Sequence, residues 1–180
     1  MPLKLNYQLM NTDEVHGALT ALADSIIAAT RGNPIVLLGI QRRGVPMAQR
    51  MAEHIAAKTG HRPDLGELDI NLYRDDLTRV ATQPVVRRTE IPSGIDDKDV
   101  ILVDDVLYTG RTIGAALRAL IDFGRVRTIQ LAVFVDRGHR EMPIEANFIG
   151  KKITTKDNEV VEVRLKEIDG EDAIYVMEQT

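Results

Sequence analysis

Between Val100 and Thr112 the chain carries an apolar run (Val100, Ile101, Leu102, Val103), two adjacent carboxylates (Asp104, Asp105) and a small-residue turn (Val106, Leu107, Tyr108, Thr109, Gly110, Arg111, Thr112). A buried strand that ends at the acidic pair brings it beside a turn whose free N–H groups and Thr109 and Thr112 hydroxyls can converge at a helix start. Such a concavity binds a phosphate dianion. The carboxylates repel phosphate, so they suit neutral hydroxyls or a hard cation such as Mg²⁺. Phosphate, polyol and metal together describe a phosphorylated ribose. Neither G-x-x-x-x-G-K-S/T nor a G-x-G-x-x-G after a strand occurs, which argues against nucleotide triphosphate hydrolysis and dinucleotide binding.

A second constellation is Gly39-Ile40-Gln41-Arg42-Arg43-Gly44. Its glycines permit close approach of an anion, and its two guanidiniums supply charge and paired donors, so this turn suits pyrophosphate. Tyr73, Arg74, Asp75 and Asp76, with Arg87 and Arg88, lie in a charged stretch that could close over a bound pyrophosphate and exclude water. Val135, Asp136, Arg137, His139 and Arg140 follow another strand end and form the base-side candidate. His139 reads as a partly exposed loop histidine, and one histidine without a second nearby ligand makes no metal site.

The elements that must position these groups alternate between helical and strand periods, the mark of an α/β sheet. Val15, Leu19, Leu22, Ile26 and Ile27 recur at helical spacing, with Asn11 and Glu14 as a capping box and Gly32 with Pro34 at the end. Ile35 to Ile40 reads as a strand covered on both faces, followed by a helix from Val45 to Lys58. Gly66 to Tyr73 alternates as a half-buried strand, and Arg74 to Asp99 as a long loop or β-ribbon. The acidic strand, a helix from about Thr112 to Phe123 and a buried strand from Thr128 to Val135 complete the series. Phe148 to Lys152, Val160 to Leu165 and Ala173 to Met177 read as short C-terminal strands forming an appended layer. Parallel strands gather their loops at the carboxyl edge, so the two turns should share one cleft.

The 180 residues, 44% hydrophobic and 28% charged, suffice for one core, and a single domain over 1–180 is expected. The absence of cysteine excludes disulfides and thiolate metal sites. No apolar run reaches the length of a membrane span, and the start, Met1-Pro2-Leu3-Lys4-Leu5, lacks a signal peptide's apolar core; a cytoplasmic protein is expected. The net charge of −4 argues against broad charge-driven nucleic-acid binding.

The 100–112 stretch resembles the signature of the type I phosphoribosyltransferases, whose substrate is phosphoribosyl pyrophosphate (PRPP). With Leu72 to Asp76 and Val135 to Ile144, the chain closely resembles the PyrR family of pyrimidine operon attenuation regulators, which also act as uracil phosphoribosyltransferases. The resemblance runs from the first helix to about Lys152. It implies the type I fold, a mostly parallel twisted sheet flanked by helices, with a flexible loop at about 74–99 and a small hood and C-terminal strands at about 136–180. It implies PRPP held by Val100 to Thr112, diphosphate by Gly39 to Gly44, and uracil under the 135–140 segment. Catalysis would rest on Asp104, Asp105 and Arg43, with Mg²⁺ at the aspartates. UMP and diphosphate would be the products, and a homodimer or higher oligomer is expected.

Family members also bind a leader RNA through a basic face. Here the matching positions read Ala21, Asp24 and Ala29, Glu145 stands where arginine is usual, and Asn11 to Thr30 contains no lysine or arginine. Phosphate contacts carry most nucleic-acid affinity, so weak, altered or absent RNA binding is expected. Arg31, Arg125, Arg127, Arg140, Lys151 and Lys152 remain as a candidate patch. The alternatives are a non-catalytic UMP-sensing RNA-binding regulator, and a purine or orotate phosphoribosyltransferase with the same phosphate turn.

Overall fold

The continuous apolar runs become strands covered on both sides, because successive side chains leave a strand in opposite directions. A computed structural model describes residues 1–70, 90–91 and 94–180. Along the chain lie β1 (Leu3–Met10), α1 (Thr12–Thr30), β2 (Ile35–Ile40), α2 (Gly44–Thr59), β3 (Asp64–Leu68) and β4 (Asp99–Leu107). They are followed by α3 (Arg111–Phe123), β5 (Thr128–Asp136), β6 (Phe148–Lys152), β7 (Glu159–Arg164), α4 (Lys166–Asp169) and β8 (Ala173–Gln179). Ile35, Leu37, Ile101 and Val103 face α1 and α2, packing with Val15, Ile26, Met47 and Met51. Val36, Leu38, Val100 and Leu102 face the other way, onto Ile113, Ala116 and Leu120 of α3.

The central sheet has the order β3-β2-β4-β5-β6, with every pair parallel. The chain moves outward from β2 through α2 in one direction and from β4 through α3 in the other. The reversal lies between β2 and β4, and ligands of open α/β sheets bind at the carboxyl ends beside such a reversal. A second, antiparallel sheet of order β1-β8-β7 sends Val161, Val163 and Ile174 into the core on the α1/α2 side.

Helix α1 starts where its capping box predicts: the Asn11 side chain accepts from Glu14 N–H (3.0 Å), and the Glu14 carboxylate accepts from Asn11 N–H (2.8 Å). Two expectations need correction. Phe148 to Lys152 is no part of the appended layer; it pairs parallel with β5 as the edge of the central sheet. Asn147 fixes that placement, its N–H donating to Leu131 O and its side chain accepting from Leu131 N–H, while Phe148 is buried against the α1 side. The appended layer instead takes its third strand from the N-terminus, where Leu3, Leu5 and Tyr7 alternate with polar residues. The strand expected at Gly66 to Tyr73 begins earlier, at Asp64, and ends at Leu68, with 71–73 outside the described residues. Among the described residues no helix is long and apolar enough to cross a membrane.

Candidate active site

Strand β4 delivers the acidic pair to the cleft. Val100, Ile101, Leu102 and Val103 are buried core residues that carry the strand, and Asp104 is nearly buried beside a half-buried Asp105. Each carboxylate accepts the N–H of the next residue, Asp105 onto Asp104 and Val106 onto Asp105, both at 2.9 Å. These bonds fix the carboxyl planes at the strand end. Beyond the buried Leu107 the chain turns through Tyr108 and Thr109, whose hydroxyl accepts from Arg111 N–H (3.3 Å). Gly110 then opens α3 with φ 90°, a conformation that favours glycine, and a β-carbon there would press on Ile144 at 3.1 Å. Gly110 has no side chain to cap α3 and the Thr109 hydroxyl takes only the Arg111 N–H, so the N–H groups that follow, that of Thr112 among them, form a cradle for an anion.

The second turn stands alongside. Gly39 and Gly44 let β2, the start of α2 and β4 approach closely: a β-carbon on Gly39 would lie 2.6 Å from Val45 Cα, and one on Gly44 would overlap the Val103 carbonyl oxygen. Ile40 is buried, and the Gln41–Arg42 peptide is cis. Gln41 donates its N–H to Leu68 O (3.0 Å) and its amide to Glu67 (2.8 Å), tying the turn to β3. Arg42 is exposed. Arg43 is gripped by Asp169 of α4, through Nε at 3.2 Å and Nη2 at 2.8 Å. That bond, with the charges of Asp105 and Glu162 added, holds Arg43 more firmly protonated than a free arginine despite its partial burial. Burial acts to raise the Asp169 carboxyl, but Arg43 and the Leu165 N–H outweigh it and leave it below the usual range.

The loop after β5 is stitched to the α3 turn. Arg137 N–H donates to Leu107 O (3.1 Å), and the N–H groups of Glu141 and Met142 both reach Thr109 O (2.9 and 3.1 Å). Val135 is core and Asp136 nearly so. Arg140 spends its donors on both oxygens of Asp136 and on Ile144 O (2.8 Å) within the loop, and on Tyr108 O (2.7 Å) in the turn before α3. The buried Arg137 bonds Thr155 and the carbonyls of Lys156 and Glu159, with the Tyr108 ring 4.0 Å from its guanidinium carbon. Burial makes Arg137 easier to deprotonate than usual, offset in part by Tyr108 and Glu159. His139, at φ 58°, bonds Thr155 O (2.7 Å) and lies edge-on to Tyr108. The two arginines therefore brace the loop. Sequence reasoning missed Asp169, Thr155 and Glu159, which hold Arg43 and Arg137.

Tyr73, Arg74, Asp75, Asp76, Arg87 and Arg88 lie outside the described residues. Among those described, no group of three or more histidine, aspartate or glutamate side chains is placed to hold a metal. The three remaining turns still meet at one end of the sheet: a cationic turn, an acidic strand end with an anion cradle behind it, and a braced loop.

The phosphoribosyl transferase domain family matches residues 8–168. The chain is 52% identical over 172 residues to "Bifunctional protein PyrR" of Pelotomaculum thermopropionicum, covering 95% of each chain. It is 51% identical over 178 residues to the protein of the same name from Thermus aquaticus, covering 98% of each. Among solved structures, the hypoxanthine phosphoribosyltransferase of Trypanosoma cruzi superposes with a TM-score of 0.73 at 16% identity, over 98% of both chains. A hypoxanthine-guanine phosphoribosyltransferase of Bacillus anthracis gives 0.72 at 15% identity, over 100% of both. At such identities these two structures speak for the fold alone.

Proposed function

Because the chain belongs to the phosphoribosyl transferase family and, within it, to the PyrR proteins, we propose that it transfers the phosphoribosyl group of PRPP to uracil, giving UMP and diphosphate. The observation that carries this reading is the juxtaposition at β4: two main-chain-fixed carboxylates one short turn before a glycine-initiated helix start, with Arg43 in the field of Asp105.

The roles follow from charge. Breaking the bond from ribose C1 to diphosphate builds positive charge on the sugar and negative charge on the leaving group, as in glycoside cleavage. Arg43 neutralises the departing diphosphate, with Gly39 to Gly44 giving close main-chain approach. Asp104 and Asp105 hold the ribose hydroxyls and stabilise the cationic sugar. Val106 to Thr112 anchor the 5′-phosphate through first-turn N–H groups and the two threonine hydroxyls. The main chain of the 135–140 loop, braced by Arg137 and Arg140, presents donors and acceptors to uracil, whose N1 attacks C1. No covalent enzyme intermediate is required.

The donors present fit Mg²⁺. They are hard carboxylate oxygens, too few among the described residues for a closed protein cage, which suits an ion that retains water and is shared with substrate phosphates. Asp104 and Asp105 would hold it, directly or through water or ribose, and bound there it would supply Lewis-acid charge to the diphosphate.

The test is a substrate panel of uracil, orotate, hypoxanthine and guanine with PRPP and Mg²⁺. UMP formation from uracil alone is expected. Replacing Asp104 and Asp105 together by asparagine should lower kcat/KM by at least about 100-fold, the scale on which preorganised electrostatic groups act. Turnover of a purine in place of uracil, or undiminished turnover by the double variant, defeats the reading.

A further inference from the structure

We propose that Asp169, a residue of the second sheet's connection and not of the cleft itself, is a positioning residue for Arg43 during diphosphate binding and release. The inference rests on the transferase reading above. A guanidinium has five N–H donors, and the Asp169 carboxylate takes two of them, at Nε and Nη2. The other three, the second on Nη2 and both on Nη1, stay available to a diphosphate, and the clamp fixes the orientation of the guanidinium plane that carries them.

Each part of this clamp is itself held. Asp169 Oδ2 also accepts Leu165 N–H (2.9 Å), Asp169 N–H donates to Leu165 O (2.7 Å), and Gly170 closes α4 in the left-handed region. Two helical turns after Arg43, Arg50 is bound by Glu167 and Asp172 of the same segment, so α4 cannot slide along α2. At the other end, Gly44 is packed against the Val103 carbonyl, which leaves the backbone of the turn no room to drift. An unclamped arginine would have to surrender several rotamers to meet its ligand; this one is already ordered. Clamped by Asp169, Arg43 also stays within the field of Asp105, beside which the leaving group of the proposed reaction must pass.

A clamp and a competitor predict opposite signs. If Asp169 merely occupied Arg43 until diphosphate displaced it, removing the carboxylate would tighten diphosphate binding. Positioning predicts weaker binding.

The experiment measures calorimetric affinity for inorganic diphosphate with Mg²⁺, and KM for PRPP and for uracil. It compares wild type, Asp169→Ala, Asp169→Asn, Arg43→Ala and the two double variants. Asp169→Ala should weaken diphosphate binding and raise the KM for PRPP by about 10-fold, as expected for loss of a bidentate charge-assisted partner, with the KM for uracil unchanged. Asp169→Asn keeps a single acceptor oxygen, which can serve Leu165 N–H and Arg43 Nε while the bond to Nη2 is lost, and should lose roughly 3-fold. Neither should change an Arg43→Ala protein further. Unchanged or tighter diphosphate binding in Asp169→Ala, or an undiminished loss in the Arg43→Ala background, overturns the proposal. If Asp169→Ala fails to fold, unchanged affinity in Asp169→Asn overturns it equally. A wild type that binds diphosphate but makes no UMP would refute the uracil reading and leave the clamp standing.

Discussion

Gly44 lies so close to the Val103 carbonyl that a β-carbon there would overlap the oxygen, and both partners are main chain. Neither can yield like the end of a side chain, so a substitution must push the turn away from β4 and carry Arg43 with it. Gly44→Ala should therefore cost about 1–3 kcal/mol in urea unfolding and raise the KM for PRPP. Gly17→Ala is the control: it sits on an exposed face of α1, where an added β-carbon would meet nothing within 4 Å, and should gain about 0.5–1 kcal/mol without kinetic effect. Wild-type stability in Gly44→Ala would show that the close approach does not matter. At this scale the sequence displayed those features whose meaning is local. Asp104, Asp105 and the paired glycines could be read because strand, charge and turn follow one another directly. Asp169 could not, since its partner Arg43 lies 126 positions away and no local pattern links them. Arg137 and Arg140 were legible as cleft residents, but the spending of their donors on the loop depends on carbonyls that only folding brings near.

The elements α2 and α4 are joined by a buried carboxylate. Asp172 is 5% exposed and receives Arg50 (2.7 Å), Lys166 N–H (2.8 Å) and His16 (2.8 Å). Burial acts to raise its pKa, but these hydrogen bonds, that from Arg50 first, outweigh it and hold the carboxyl at about 2, below its ordinary 3.8. A depressed carboxyl stabilises the fold above the unfolded value and loses that contribution as pH falls through the folded value. The docking of α4 should thus supply roughly 2 kcal/mol at neutral pH, most of it lost between about pH 4 and pH 2. Urea titrations across that window should show a shallower pH dependence for Asp172→Asn than for wild type; parallel curves would mean that the pairing adds nothing. Elements with a strong period were legible before folding: α1 through its apolar spacing and capping box, β2 and β4 through unbroken apolar runs. β6 was misplaced because five residues with one buried end look alike in a parallel edge and in an antiparallel appendage. β1 escaped because its alternation is exposed along most of its length and packs onto nothing sequence-local.

At the scale of the whole molecule, affinity for RNA turns on where the cations stand. Arg125 and Arg127 lie where β4 and β5 begin, and Arg31 just before β2 begins, at the amino edge of the sheet. Lys151 and Lys152 pair with Val135 and Asp136 at the carboxyl edge. The 9 residues of β4 separate those edges by about 30 Å. Two of the six candidates are already engaged, Arg127 by Asp99 and Arg140 by Asp136. They thus do not make one patch. On α1 the acidic Asp24 goes further and captures Lys58 and His54, each at 2.8 Å, with Lys58 the larger cause of its lowered pKa. With a net charge of −4, little remains to release counterions from an RNA backbone. Filter binding with a pyrimidine leader transcript should accordingly give a Kd on the order of 1 μM or weaker at physiological salt, in the non-specific range, and no strengthening by UMP. Asp24→Asn, which removes one anion and frees the Lys58 ammonium on that face, should tighten it by about 3-fold and steepen the salt dependence. Tight, UMP-enhanced binding by the wild type would mean that these scattered cations, or a second copy of the chain bringing them together, form an RNA face after all.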